Sequence, residues 1–235
     1  MKTIGLLGGM SWESTVTYYQ AINQGVKSQL GGLHSAKLVL ASLNFAEIEQ
    51  LQHQGDWATT AVILSDAARA VERAGAQGLL ICTNTMHKVA DQVQAAINIP
   101  LLHIADATAG VLVCDGVRRV GLLGTAFTME QDFYVGRLQA AGLDVIIPHA
   151  KQRILVHQVI YEELCQGRIR DASRAAYLSV ISDLQARGAE AVILGCTEIG
   201  LLVNQADTAL SLYDTTAIHA HAAVDFMLDG GSDAE

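Results

Sequence analysis

Short aliphatic runs alternate with longer amphipathic stretches along almost the whole chain. The runs at 3–7, 37–43, 78–82, 100–103, 119–123, 143–147, 190–195 and 209–213 are predicted as strands, too short for helices and bounded by turn residues. Between them, 13–30, 57–74, 106–115, 130–141, 152–166, 172–187 and 215–228 carry apolar positions at helical spacing. Gly75 and Gly188 each follow a long helical stretch, where a C-terminal cap belongs, and Asp56 and Asp171 are placed to cap helix N-termini. Strand–helix alternation of this kind predicts an α/β protein with mostly parallel sheets. Only the tail 230–235 reads as disordered.

The pattern is written twice. AGAQGLLICTNT at 74–85 aligns without gaps on RGAEAVILGCTE at 187–198, placing Gly75 on Gly188 and Thr83 on Cys196, an offset of 113. Upstream, IGLLG at 4–8 matches VGLLG at 120–124, an offset of 116. The two offsets are so close that both pairs belong to one long, diverged duplication. LLHIADAT at 101–108 also resembles ALSLYDTT at 209–216. The helix after Asp106 leads into a strand, whereas its counterpart at 215–228 has none after it, so that C-terminal helix is expected beside the first strand of the chain. Two similar lobes follow, a discontinuous one of 1–103 with 210–235 and a second of 104–209, with the active site expected in the cleft between them. Two such halves can present reactive groups to opposite faces of one ligand, the geometry that moves a proton from one side of a carbon to the other.

Composition narrows the function. At 235 residues and 51% hydrophobic, the chain has ample material for a large core, and 5% aromatic content means that aliphatic side chains fill it. A net charge of −9 argues against nucleic acid and anionic membranes as partners. No apolar run approaches a membrane span, and Met-Lys-Thr leads directly into a strand, so a cytoplasmic protein is expected. The four cysteines, Cys82, Cys114, Cys165 and Cys196, show no metal-clip spacing and are expected as reduced thiols, with no metal bound. Neither GxGxxG nor GxxxxGK[ST] occurs, so the GLLGG opening is weak support for a nucleotide site.

In open α/β sheets, ligands gather at the carboxyl ends of strands. Four segments fall there: GGMS at 8–11, CTNTMH at 82–87, 125–128, and GCTE at 195–198. Backbone N–H groups with Asn84, Thr85 and Thr197 suit the carboxylate of a small-molecule amino acid. A thiol titrates near about 8.5 and falls at helix N-termini, so Cys196 is a candidate thiolate base. Each segment taken singly could equally be a helix cap. Two in register across a duplication, one holding a cysteine, point to chemistry.

The pairing of CTNTMHK with GCTEIG, after IGLLGGMSWEST near the start and GGLHSA at 31–36, resembles the aspartate/glutamate racemase family over essentially the whole chain. The GGMS opening and GCTE motif place it nearer the aspartate and broad-specificity branch. The resemblance implies an isomerase without cofactor, working with one catalytic group per lobe, and a homodimer. It implies catalysis by Cys196 and by the residue at the first cysteine position, which the family's C-N-T motif and the internal repeat both assign to Thr83. An inserted residue at that motif would instead return Cys82 to the site. The resemblance also implies that the second-lobe cysteine takes the proton from the L-enantiomer; a threonine hydroxyl is a poor base, so Thr83 would donate or relay a proton, with His87 or water behind it. Gln52 is implied as a receiver of the substrate side chain. Met10 is read either as a pocket-lining or as a structural methionine, and Glu198 as keeping the site polar and holding a helix N-terminus rather than carrying a proton. Arg153, Arg168 and Arg170 are candidate partners for a dicarboxylate.

The expectation is an amino-acid racemase independent of pyridoxal phosphate (PLP), aspartate or glutamate first, catalysed by Thr83 and Cys196. Met10, Gln52, Asn84, Thr85, Thr197 and Glu198 are expected to bind substrate. The chain's five lysines offer no convincing Schiff-base setting. A decarboxylase or cis–trans isomerase of the same superfamily, needing a single thiol, remains an alternative, as does a bilobal amino-acid-binding protein without turnover.

Overall fold

The computed structural model describes residues 1–229; the tail at 230–235, read as disordered, lies outside the described residues. The chain forms two compact units: Met1–Ile104 with the chain from His219 onward, and Ala105–Ile218.

The first unit runs β1 (Ile4–Gly8), α1 (Trp12–Leu30), β2 (Leu38–Ser42), α2 (Phe45–Gln54), α3 (Trp57–Arg73), β3 (Gly78–Ile81) and α4 (Ala90–Ala95), with a 3-10 turn at Thr85–Val89 before α4. Its sheet is parallel, ordered β2-β1-β3. The expected strand at 100–103 adds one bridge, Leu79 to Leu101, and stops there because a helix begins at Ile104. In α3, Asp56 caps the N-terminus by accepting from Thr59 N at 3.0 Å. The buried face of that helix, including Ala61, Leu64, Ala68 and Val71, follows the helical period and packs on the sheet. Gly75, at φ +97°, turns the chain out of the helix where a side chain would be strained. The polar sequence FAEIEQLQHQ hid α2 from the strand–helix reading, since it buries little beyond Ile48 and Gln52.

The second unit runs α5 (Ile104–Cys114), β4 (Arg119–Gly124), α6 (Ala126–Glu130), α7 (Asp132–Ala140), β5 (Asp144–Ile146), α8 (Ala150–Glu162), α9 (Asp171–Ala186), β6 (Ala191–Gly195), α10 (Ile199–Leu202) and β7 (Ser211–Asp214). Its sheet is parallel in the order β5-β4-β6-β7. The order β2-β1-β3 with the 100–103 bridge is the same arrangement, so the duplication read from sequence is present in topology. The 130–141 stretch breaks at Gln131, which is extended, into α6 and α7. Arg170 rather than Asp171 occupies the N-cap of α9; the Asp171 carboxylate instead meets Arg174 at 3.2 Å. The strand expected at 209–213 pairs residue by residue with β6, so it belongs to the second sheet, and the unit extends to Ile218 rather than ending at 209.

The last helix, α11 (Thr215–Leu228), returns the chain to the first unit. Ala220, Ala223, Val224 and Met227 join Ile4, Leu6, Tyr18, Ile22 and Val26 in one hydrophobic cluster, and Lys2 N donates to Met227 O at 2.8 Å. Each Val, Leu, Ile or Met of the cluster, fully buried, stabilises the fold by about 1.5–3 kcal/mol. His219 opens this returning stretch on the same buried side. Its Nε2 lies 2.7 Å from Leu102 O and its Nδ1 2.8 Å from Tyr18 Oη. A carbonyl only accepts, so Nε2 carries the proton and Nδ1 accepts from the tyrosine; the ring is neutral. Burial holds its pKa down at about 4.

That depression makes stability depend on pH. In the unfolded chain the imidazole protonates below about 6.5, whereas in the fold it stays neutral to about 4, so the unfolded state binds more protons across that window. The stabilisation is complete above the unfolded value and is lost as pH falls through the window, amounting to about 3 kcal/mol at most. Chemical denaturation between pH 7.5 and 4 is expected to show this loss, and His219→Gln to show a shallower pH slope on a lower plateau.

Candidate active site

In the second unit, β6 delivers Gly195, Cys196, Thr197 and Glu198 at its carboxyl end. Gly195 pairs in register with Gly124 on β4. A Cβ on Gly195 would lie 2.7 Å from Leu123 O, and one on Gly124 would lie 2.8 Å from Gly195 O, so these backbones run together up to the cysteine only because both positions are glycine. Cys196 and Glu198 are buried. The Cys196 thiol donates to Glu198 Oε2 at 3.1 Å, and the Thr197 hydroxyl donates to the same oxygen at 2.6 Å. Two consecutive residues thus donate to one carboxylate oxygen of the residue that follows.

This arrangement reverses the expected charge state of Cys196. Burial pushes the thiol well above its ordinary range, and the Glu198 carboxylate and the neighbouring Cys165 push the same way. The hydrogen bond to Glu198 further favours the protonated sulfur; a backbone contact opposes it weakly. The following helix, α10, has only four residues and offers little dipole to counter them. At neutral pH Cys196 is a thiol, with a proton acceptor already in contact.

In the first unit, alternation along β3 sorts its side chains. Leu79 and Ile81 point into one hydrophobic cluster with Leu64, Ala68 and Val71; Leu80 and Cys82 point into the other, with Ile4, Tyr18 and Ala223. Cys82 is fully buried there, and burial drives its thiol far above the usual range. Thr83 follows the strand end and is half-buried, its amide donating to Ile81 O at 2.9 Å. Asn84 and Thr85, both buried, begin the 3-10 turn.

His87 is buried behind this turn. Its Nδ1 lies 2.8 Å from Thr83 O, and its Nε2 lies 3.2 Å from Ile104 N. The first partner only accepts and the second only donates, so the proton sits on Nδ1 and the ring is neutral. These two bonds engage backbone, which places His87 behind the Thr83 carbonyl and not behind its hydroxyl. The His103 ring lies edge-on at 4.4 Å and that of His219 at 5.8 Å. His103 and His219 were not singled out in the sequence; a histidine on the buried face of an apolar helix (AIHAHAAV) was the available signal.

The remaining candidates are placed as follows. Gln52 is buried on α2, its Nε2 donating to Met86 Sδ at 2.9 Å. Met10 is a core residue beside Leu7 and Ile48, in a GGMS segment occupied with its own unit. There, Gly9 N donates to Thr15 Oγ1 at 2.8 Å, and Ser11 caps α1 by accepting from Ser14 N at 3.3 Å. Arg153 is ion-paired with Glu130 at 2.6 Å, and Arg170 with Glu163 at 3.4 Å. Among the described residues, no cluster of His, Cys, Asp and Glu is arranged to hold a metal ion, and no helix is long and apolar enough to cross a membrane.

Residues 7–223 match the family model for Asp/Glu/Hydantoin racemases. The chain is 57% identical to a candidate Asp/Glu racemase from Yersinia pestis whose crystal structure superposes with a TM-score of 0.91, covering 97% of this chain and all of that one. An aspartate racemase homologue from Pyrococcus horikoshii OT3 is 35% identical, with a TM-score of 0.84 and coverage of 97% and 100%. The broad specificity amino-acid racemase RacX of Bacillus subtilis (strain 168) is 24% identical over 159 residues, 68% of each chain. The chain belongs to the Asp/Glu/Hydantoin racemase family and is an isomerase of that family.

Proposed function

We propose that this protein racemises a polar amino acid, aspartate or glutamate first, without PLP. Cys196 takes the α-proton from one face, and Thr83 serves the other. The observation that carries this reading is the opposite fate of two adjacent residues: Cys82 is sealed in the hydrophobic core, while Thr83 emerges at the strand end. Asn84, Thr85 and Thr197 hold the substrate carboxylate, and Gln52 receives its side chain from α2. The same reading has the enzyme cytoplasmic and homodimeric.

The contact between Cys196 and Glu198 supplies the base. A buried thiol is inert until its proton leaves, and Glu198 Oε2 stands within hydrogen-bond reach to accept it. The thiolate then removes the α-proton, and the Thr83 hydroxyl passes a solvent proton to the opposite face of the carbanion. The proton left on Glu198 returns to solvent, which closes the balance. A hydroxyl cannot rest as an alkoxide, so the thiol side is the better base, and the L-enantiomer is the substrate that uses it. Enantiomers have equal free energy, so kcat/KM is the same in both directions and the bias lies in kcat and KM moving together.

Chiral assay of L- and D-aspartate and glutamate tests the assignment. Cys196→Ala is expected to abolish conversion and Thr83→Ala to reduce it by roughly a hundredfold or more, while Cys82→Ala stays within a few-fold of wild type. Loss of conversion in folded Cys82→Ala, with Thr83→Ala active, would transfer the role to Cys82.

Glu198→Gln separates proton acceptance from simple polarity. Removing the carboxylate relieves the repulsion that raises the Cys196 pKa, so iodoacetamide labelling of that thiol should move to lower pH. Racemisation should nevertheless fall, because the proton acceptor is gone. Labelling unchanged in pH together with full activity would contradict the role given to Glu198.

A further inference from the structure

We propose that His87 is a positioning residue for Thr83, holding the turn that presents the hydroxyl; this rests on Thr83 being an active-site group. The chain leaves β3 at Ile81, and Thr83 lies beyond the last ladder bond of that strand, where its orientation is no longer fixed by the sheet. Two bonds through the neutral His87 ring fix it instead. Nδ1–H grips the Thr83 carbonyl at 2.8 Å, and Nε2 accepts from Ile104 N at 3.2 Å, the last backbone amide of the first unit's opening segment. The segment being gripped is itself anchored, since Leu102 N donates to Leu79 O at 2.9 Å and Leu102 O accepts from His219 at 2.7 Å. The His103 and His219 rings pack edge-on against His87 and restrict its rotation. A displacement of about 1 Å in a proton-transfer group costs up to roughly a hundredfold in rate, so a carbonyl clamp one peptide away from the hydroxyl is placed to matter.

Two substitutions separate the two bonds. His87→Asn puts an amide N–H where Nδ1 lies and preserves the bond to Thr83. His87→Gln puts an amide oxygen where Nε2 lies and preserves the bond to Ile104. Hydrogen exchange at the Thr83 and His87 amides, bonded to Ile81 O and Asn84 O, reports whether the turn is held, independently of activity. In His87→Gln that exchange should accelerate roughly tenfold or more. Conversion of L- to D-substrate should fall by a similar factor while α-proton exchange from the L-enantiomer is kept. His87→Asn should recover both. Equal amide exchange in the two variants would overturn the inference, as would conversion and α-exchange falling in parallel in both. A wild type without turnover would sink the racemase reading, and amide exchange would then decide the positioning role by itself.

Discussion

Burial of the parallel strands on both faces is the constraint from which the site follows. β1, β3, β4 and β6 carry almost no exposed residue, so each successive side chain must enter one hydrophobic layer or the other. In β3 this sends Leu79 and Ile81 to the α3 side and Leu80 and Cys82 to the side of α1 and α11. Past the strand end, a residue escapes the alternation. In β3 that residue is a threonine; at the corresponding end of β6, after a glycine pair that lets the backbones close, it is a cysteine.

The duplication has therefore diverged at these strand ends. With Thr83 opposite Cys196, the repeat sets Thr85 opposite Glu198. One half keeps a thiol with a carboxylate at 3.1 Å; the other offers hydroxyls and a backbone clamp built from a neutral histidine. A thiol buried against a carboxylate is a poor resting nucleophile, yet it is one proton transfer from being a strong base. On the proposed mechanism, the unequal halves would favour one starting enantiomer without breaking the symmetry that thermodynamics imposes on the overall reaction.

Most of the fold was legible because aliphatic runs buried on both faces leave a plain signature, and because the chain repeats it. The register of Thr83 on Cys196 needed no structure either. What was hidden depends on long-range contacts. Helix α2 is too polar to betray its one buried edge, and β7, placed by the sequence reading in the first lobe from 210 onward, belongs to the second sheet through its ladder with β6. The sequence offers Cys196 as a thiolate, whereas burial and Glu198 outweigh a four-residue helix and keep it protonated. His87 reads in sequence only as a group behind Thr83; its partners, Thr83 O and Ile104 N, set it against the backbone. Tyr18 and His219 meet across 201 residues of sequence, a separation no local pattern encodes.

The most direct test of the central claim, that the Cys196 thiol is the base for one face of the α-carbon, is deuterium incorporation at that carbon in D₂O. It would be followed by NMR from separate L- and D-aspartate and glutamate, with wild type beside Cys196→Ala. Incorporation by the wild type that disappears in Cys196→Ala is the predicted result. Incorporation that survives the loss of Cys196, or its absence in wild type from all four substrates despite measurable binding, would contradict it.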